Sequence, residues 1–220
     1  MGHKIRPDSF RLGITKNWNN RWFVKKDRKD ILEEDLLIRD IIQEKINQAG
    51  IDSIEIERKS NICRINIKAA KPGLVIGRGG KGIDDLKKSI EKGIAKLNRK
   101  KQRKFLSVYN LNVEELRRSE TSASVIAQNI AWDLEKRLPF RRTMKHYIDI
   151  ISQSKDIKGV KIRMSGRLDG NEIARDEWLA KGRMPLQNLR ADIDYGEATA
   201  FTTYGTIGIK VWLYKGDVFN

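Results

Sequence analysis

A glycine-rich stretch in the first half of the chain, KPGLVIGRGGKGI at 71–83, constrains the fold more than any other feature. It has five glycines within ten residues, with Arg78 and Lys81 among them. Glycine adopts positive φ and lets the backbone approach a ligand closely, because it has no Cβ. A helical pattern begins near Ile83, so free N–H groups and the positive end of a helix dipole would face the same side as the two cations. These features are typical of a site for a phosphate chain.

Two phosphate-binding motifs overlap in this stretch, and they imply different functions. Gly77-x-Gly79-x-x-Gly82 matches the dinucleotide-binding fingerprint, which is a weak signal on its own. Gly77-Arg78-Gly79-Gly80 after an apolar run matches the GXXG loop with which KH domains clamp the backbone of single-stranded nucleic acid. A glycine-rich turn that only closes a tight strand-to-helix connection is the third possibility.

The charge of the chain favours a polyanionic partner. Its 220 residues are enough for two modest domains, each with its own core. They include 45 Lys+Arg against 29 Asp+Glu, which gives a formal net charge of +16. A merely well-solvated surface would mix the two signs more evenly, so we expect a nucleic acid as the partner.

The rare residue types exclude several other classes of protein. One cysteine, Cys63, and two histidines exclude a disulfide framework and a zinc site built from Cys/His pairs. No apolar run is long enough to cross a bilayer, and the first residues lack the apolar segment of a signal peptide. We therefore expect a soluble intracellular protein with no membrane contact and no cofactor.

The order of the predicted elements distinguishes the two motifs. That order is a helix over 33–49 capped by Gly50, strands around 54–56 and 63–67, the glycine loop, a helix from Ile83, and a strand around 109–113. A Rossmann unit needs an acidic residue about twenty positions after the loop, where this chain has the cationic run 99–104. No Gly-Lys-Ser/Thr ends the loop, which excludes a Walker A motif. The order matches a KH domain, and its second helix exposes lysines that include Lys88.

The second half has a predicted core of its own. The expected elements are helices over Ser119–Leu138 and Arg141–Ser154 and strands around 160–165, 190–203 and 206–214. In the first strand, apolar residues alternate with Lys161 and Arg163, so one face would be apolar and the other basic. This pattern predicts a compact α+β domain.

A cluster of cations opens the second helix of this half. Arg141, Arg142 and Lys145 gather near its first turn, where the helix dipole is already positive. An external anion therefore explains them better than local helix stability does. A solvated basic patch is the alternative interpretation.

The first thirty residues are basic and show no sustained periodicity. They hold Trp18 and Trp22 among Lys, Arg and Asn. We expect an arm whose cations neutralise RNA phosphates, while Trp18, Trp22 and Phe23 pack on the neighbouring domain.

Seven ordered motifs resemble ribosomal small-subunit protein three of bacteria and organelles. They are MGxKIxP with RLGI at 11–14, KPGLVIG at 71–77, FRR at 140–142, SGRL at 165–168, EIARDEW at 172–178, LRADIDY at 189–195 and TYGTIGIKVW at 203–212. Together they cover nearly the whole chain. The pattern departs from the family at Arg78 and Gly79, where two lysines are frequent.

The resemblance implies an α+β fold: an N-terminal arm at 1–30, a type II KH domain at 31–115, and a C-terminal α+β domain at 116–220 with a mainly antiparallel sheet. It implies a structural protein of the small ribosomal subunit and not an enzyme. Such a protein lies in the head, binds small-subunit rRNA and lines the mRNA entrance with proteins four and five, near proteins ten and fourteen. The family assigns the positions Arg141, Arg142 and Lys145 a part in unwinding mRNA. Its place would be the cytoplasmic ribosome, or an organellar one.

The residues expected to contact RNA are Gly77, Arg78, Gly79, Gly80, Lys81, Lys88, Arg141, Arg142, Lys145, Arg163, Arg167 and Arg175. Two other functions are less well supported. A free-standing KH regulator would lack the motifs of the second half. An NADP-dependent enzyme would show a second βαβ unit and a catalytic acid or base, and neither is seen.

Overall fold

The computed structural model of the chain describes residues 4–22, 28–59, 62–100, 108–116, 122–154 and 156–219. The helices of these ranges are α1 (Pro7–Phe10), α2 (Arg28–Ile46), α3 (Pro72–Ile76), α4 (Lys81–Lys100), α5 (Ala123–Glu135) and α6 (Phe140–Gln153). The strands are β1 (Asn20–Trp22), β2 (Ile51–Lys59), β3 (Ile62–Ala69), β4 (Val108–Glu115), β5 (Gly159–Gly166), β6 (Arg175–Gly182), β7 (Ala191–Thr202) and β8 (Gly205–Asp217). In the described ranges, no helix combines the length and the apolar character that a membrane span requires.

The chain forms two compact units. Asn19–Arg117 make up one, which we call the central unit, and Met1–Trp18 with Arg118–Asn220 make up the other, the terminal unit. This division differs from the expected segments 1–30, 31–115 and 116–220, because residues of the expected arm belong partly to each unit.

The central unit packs α2 and α4 on a four-stranded sheet of order β1-β2-β3-β4. The pair β2 and β3 is antiparallel, and β3 and β4 are parallel. Its core is aliphatic and includes Ile38 and Ile42 of α2, Ile65 of β3 and Ile90 of α4. The predicted order of helix, strand, strand, glycine loop, helix and strand is confirmed, although α2 begins at Arg28 and α4 at Lys81. Residues 60–61, where the sequence predicts the turn between the strands around 54–56 and 63–67, lie outside the described residues, as do the cations at 101–104.

A buried charged cluster connects α2 to β1 and β2 in this unit. Arg58 donates to Glu34 at 2.8 Å and to Asp35 at 2.6 Å, and the side chains of all three residues are almost fully buried. Asn20 of β1 donates to the other oxygen of Asp35 at 2.8 Å. Burial raises the pKa of Asp35, while Arg58 and Arg39 oppose that rise. Strand β1 is therefore fixed by polar contacts as well as by its parallel pairing with β2.

The terminal unit packs α5 and α6 on one face of a sheet of order β6-β5-β8-β7, in which every pairing is antiparallel. The predicted α+β class with a mainly antiparallel second sheet is confirmed. Strand β6 was not predicted, because residues 175–182 lie at the sheet edge and show no apolar alternation.

Two helix boundaries in the terminal unit differ from the sequence expectation. Helix α5 begins at Ala123, because the Ser122 hydroxyl accepts a hydrogen bond from the Val125 N–H and caps the helix there. That helix ends at Glu135 rather than Leu138, and Pro139, which follows the predicted end, is the N-cap residue of α6. Arg137, at φ 65°, lies in the left-handed region and separates the two helices.

A buried arginine holds the segment before β1 on the rest of the terminal unit. Arg11 is 0% exposed, and its guanidinium donates to the carbonyl oxygens of Pro7, Leu186, Asn188 and Ala191. These four bonds connect α1 to the start of β7.

The expected packing of the aromatic residues of this segment is wrong for one ring. Trp18 is 67% exposed, so it does not pack on its own domain. Trp22 lies half-buried in β1, and Phe23 lies outside the described residues.

Candidate nucleic-acid interface

The glycine loop lies between α3 and α4 and exposes backbone on one side. Gly77, Gly79 and Gly80 have φ values of 70°, 62° and 78°, a region that favours glycine. A Cβ at Gly79 or Gly80 would meet no atom within 4 Å, so both residues border open space. Arg78 and Lys81 beside them are exposed. A phosphate chain therefore has access to the backbone between two cations.

Two other glycines of the loop have a structural role. A Cβ at Gly82 would lie 2.5 Å from the carbonyl oxygen of Val75, and one at Gly77 would lie 2.9 Å from the Gly82 nitrogen. Both residues allow α3 and α4 to approach closely. The interpretation as a tight turn thus holds for Gly77 and Gly82. Gly79 and Gly80 have no such close neighbour, so their backbone is open to a ligand.

The start of α4 adds to the anion site. This helix is 20 residues long, and its first N–H groups and dipole are positive at Lys81. Asp84 in the first turn partly offsets that potential. Lys88, seven residues after Lys81, lies on the same side of the helix about 10 Å further along. Leu74, 60% exposed, provides apolar surface beside the loop.

The geometry does not suit a dinucleotide. In a Rossmann unit the glycine turn directly follows a strand, so the pyrophosphate meets the first helix after it. Here α3 separates β3 from the loop, and β3 pairs with β2 in antiparallel fashion. The KH interpretation of the motif is the one that fits.

The cations at the start of α6 differ in their surroundings. Arg141 makes a bidentate pair with Glu177 of β6, with Nε–Oε2 at 3.1 Å and Nη2–Oε1 at 3.0 Å. Hydrogen bonding by Arg141 lowers the pKa of Glu177. Arg141 therefore has an internal carboxylate partner that the sequence interpretation did not consider, and its contact with an external anion stays a prediction. Arg142 and Lys145 are exposed, and neither forms an ion pair within the described part of the chain.

The remaining predicted cations lie apart from one another. Arg175 approaches Glu177 at 3.6 Å and so lies near Arg141. Arg163 faces away from α6 and pairs with Asp176. Arg167 donates to the carbonyl oxygens of Asn171 at 2.9 Å and Tyr204 at 3.1 Å, and it thereby holds a turn. The contacts of all these cations with RNA stay predictions.

The described residues contain no cluster of three or more His, Cys, Asp or Glu arranged to hold a metal ion. Cys63 is buried in the central core, and burial raises the pKa of its thiol to about 11. It is therefore a protonated core residue near neutral pH.

Two family models match the chain, one in each half. Residues 37–121 match the KH domain, and residues 130–213 match the C-terminal domain of ribosomal protein S3. The fold and the exposed glycine loop thus define a KH-domain protein with a second domain of the ribosomal S3 type.

Full-length relatives identify the family. Small ribosomal subunit protein uS3 of Acidobacterium capsulatum is 46% identical over 220 residues, which cover 100% of this chain and 93% of the relative. The uS3 protein of Maridesulfovibrio salexigens is 47% identical over 220 residues, with 100% and 98% covered. That of Desulforamulus reducens is 48% identical over 219 residues, with 99% and 94% covered. The chain belongs to the uS3 family, whose members are ribosomal proteins and not enzymes.

Proposed function

We propose that this chain is a structural constituent of the small ribosomal subunit, where it binds small-subunit rRNA in the head and contributes to the mRNA entrance. The observation that carries this proposal is similarity to small-subunit uS3 proteins over 99–100% of the chain. The formal net charge of +16 gives it the electrostatic character that rRNA binding requires.

The glycine loop is the proposed contact of the central unit with RNA. Its exposed backbone at Gly79 and Gly80 lies between Arg78 and Lys81, so N–H groups and cations face the same phosphate path. Phosphate contacts of this kind position the protein without reading the base sequence.

The start of α6 is the proposed contact with mRNA. Arg142 and Lys145 have charges that no described carboxylate neutralises, so they hold phosphates of a moving strand and keep a melted duplex from pairing again. Arg141 reaches a phosphate only by sharing or leaving Glu177. Such contacts are weak and exchange quickly, which a strand in motion requires.

The proposed surroundings follow from the same family. Proteins ten and fourteen would be neighbours in the head, and proteins four and five would share the mRNA entrance. The relatives are bacterial, so the cytoplasmic ribosome is the proposed location. If the chain is encoded in a plastid or a mitochondrion, the ribosome of that organelle is the proposed location instead.

Sedimentation tests the proposal. The full-length chain, tagged and expressed in a bacterium, should sediment with small subunits in a sucrose gradient at physiological salt. The control is Arg11→Met, in which α1 loses its buried hydrogen bonds to the terminal unit. This variant should sediment less with small subunits if assembly requires the folded terminal unit. A wild-type chain found only in the free fractions would contradict the proposal.

A further inference from the structure

The face of the terminal sheet opposite α5 and α6 carries cations and aromatic rings in regular rows. Alternation along β5 directs Val160, Ile162 and Met164 into the core, so Lys161 and Arg163 face the other side. We call this side of the sheet the outer face. Its side chains form two rows of cross-strand neighbours, each with one residue from every strand. The first row is Tyr195, Trp212, Lys161 and Ala180, and the second is Glu197, Lys210, Arg163 and Trp178.

Two tryptophan rings of the outer face flank one lysine. The Lys161 Nζ lies 4.8 Å from the ring centroid of Trp178 and 5.7 Å from that of Trp212. The ring of Tyr195 lies 5.5 Å from Trp212. Trp178, on the edge strand β6, is 58% exposed. Of these three rings, that of Trp178 alone is largely exposed, because Trp212 is half-buried and Tyr195 is buried. A large exposed ring beside a lysine is typical of a contact surface.

The carboxylates of this face already have internal partners. Glu197 accepts from Arg6 at 3.0 Å and from the Tyr195 hydroxyl at 2.9 Å. Asp176, next to the second row, pairs with Arg163. The negative charges of the outer face are therefore neutralised within the protein.

The lysines of the outer face are left uncompensated. Neither Lys161 nor Lys210 has a carboxylate partner in the ranges that the structure describes. Burial lowers the pKa of Lys161, and the nearby charges of Lys4 and Arg163 lower it further. The potential at the outer face is positive, so an anionic partner is favoured there.

We propose that the outer face binds an unpaired segment of rRNA, with a base stacked on Trp178 and phosphates held by Lys161 and Lys210. This inference rests on the proposed function, since it names a second surface for the same partner. Single-stranded RNA offers a π face and a phosphate at every nucleotide, and so it matches exposed rings and free cations together. Trp178 and Trp212 lie two strands apart and in neighbouring rows, so about 12 Å separates their backbone positions, which leaves room for successive splayed bases. An acidic protein segment would pair with the lysines, but it does not offer a base and a phosphate at every step.

The test measures binding of the full-length protein to a ten-nucleotide single-stranded RNA and to the same sequence in a duplex. All variants carry Arg78→Asp with Gly79→Asp, so that the glycine loop does not contribute. Trp178→Ala should weaken binding of the single strand about tenfold and change duplex binding little, because stacking needs an unpaired base. Trp178→Phe should retain most of the affinity. Phe219→Ala, which removes a 73% exposed ring outside the two rows, is the matched control.

The salt dependence tests the phosphate contacts separately. Replacing Lys161 and Lys210 by Gln should reduce the slope of log K against log salt by about 1.4, since each single-strand phosphate contact contributes about 0.7. Lys136→Gln, an exposed lysine after α5, should leave the slope unchanged.

The outcomes distinguish this inference from the proposed function. A wild-type protein that does not bind small-subunit rRNA would overturn the proposed function. If the wild-type protein binds rRNA and Trp178→Ala binds the single strand equally well, the outer face is no RNA surface and only the present inference fails. Equal losses in Trp178→Ala and Trp178→Phe would also overturn it, because a phenyl ring still stacks. Circular dichroism of each variant checks that the sheet has formed.

Discussion

The Nε of Arg11 donates a 2.7 Å hydrogen bond to the carbonyl oxygen of Ala191, which lies 180 residues further along the chain. With its three other carbonyl partners, this side chain satisfies backbone groups of α1, of the loop before β7 and of β7 itself. A guanidinium is suited to this position, because it offers five donors in a rigid plane.

Replacing Arg11 by Met should destabilise the terminal unit by about 3 kcal/mol, because several buried carbonyl groups lose their donor. Arg6→Met is the matched control: that arginine is exposed, and its pair with Glu197 contributes at most about 1 kcal/mol. Urea unfolding of the full-length protein measures both. A loss in Arg11→Met no larger than that in Arg6→Met would contradict the anchoring role.

The stability of the same region should depend on Asp8. Burial raises the pKa of its carboxyl to about 6, and Asp194 adds to the rise, while Lys16, Arg6 and Arg11 oppose it. The folded protein therefore holds this proton more tightly than the unfolded chain, and stability falls as pH rises from about 4 to about 6. The effect is on the order of 1 kcal/mol, because the carboxyl is partly exposed.

Asp8→Asn should remove this contribution. The variant should be more stable than wild type at pH 7 and equal to it at pH 4. The difference in unfolding free energy between the two proteins, measured across that range, isolates Asp8 from other titrating groups. A difference that does not change with pH would contradict the assignment.

The loop Arg78-Gly79 should carry much of the RNA affinity of the central unit. Arg78→Asp with Gly79→Asp places two carboxylates in the phosphate path, and Asp tolerates the left-handed conformation that Gly79 adopts at φ 62°. Binding of rRNA should fall at least about tenfold at fixed salt. Arg78→Gln with Gly79→Asn has the same shape without the negative charge and should bind more tightly than the Asp pair. Gly77 is unsuitable for this test, because a Cβ there would lie 2.9 Å from the Gly82 nitrogen.

Arg142→Ala with Lys145→Ala should slow translation of structured mRNA while leaving assembly intact. These two cations have no described ion-pair partner, so their loss disturbs little of the fold. Translation rates on hairpin-containing and unstructured messages, compared in ribosomes that carry the variant, separate mRNA handling from rRNA anchoring. Arg141→Ala with Glu177→Ala removes the neighbouring pair and should have the smaller effect. Equal slowing on both messages would assign the two cations to rRNA.

Replacing Arg58 by Leu should destabilise the central unit by about 3–5 kcal/mol, because Asp35 and Glu34 would stay buried without their cation. Arg64→Leu changes an exposed arginine of the neighbouring strand and should cost about 0.5 kcal/mol or less. Hydrogen exchange of the amides in β2 and β3 measures the loss. Unchanged protection in Arg58→Leu would show that the cluster does not stabilise these strands.

The features predicted correctly from sequence are those that local patterns determine. Glycines at 77–82 require a turn, and apolar spacing over 83–97 requires a helix, so the loop and α4 follow from neighbouring residues. Edge strand β6 was missed, since both of its faces are largely exposed and Trp178 stands alone as its large ring.

Pairings between distant segments were not predictable. The ion pair of Arg141 with Glu177 depends on how α6 packs against β6, which no periodicity specifies. From the sequence alone, Arg11 would be assigned to the surface. Its partners are backbone carbonyl oxygens, which every residue has, so no residue type in the sequence marks them.

The terminal unit combines residues 1–18 with residues 118–220, which determines when it can fold during translation. Residues 19–117 have all their strand partners within about a hundred consecutive residues, so this unit can fold as soon as it leaves the exit tunnel. Arg11 must wait for Ala191, and 180 residues at 5–20 residues per second take roughly 10–40 s. In the later part of that interval, once residue 117 has left the exit tunnel, the nascent chain presents a folded KH domain behind a basic N-terminal segment that Arg11 does not yet hold in place.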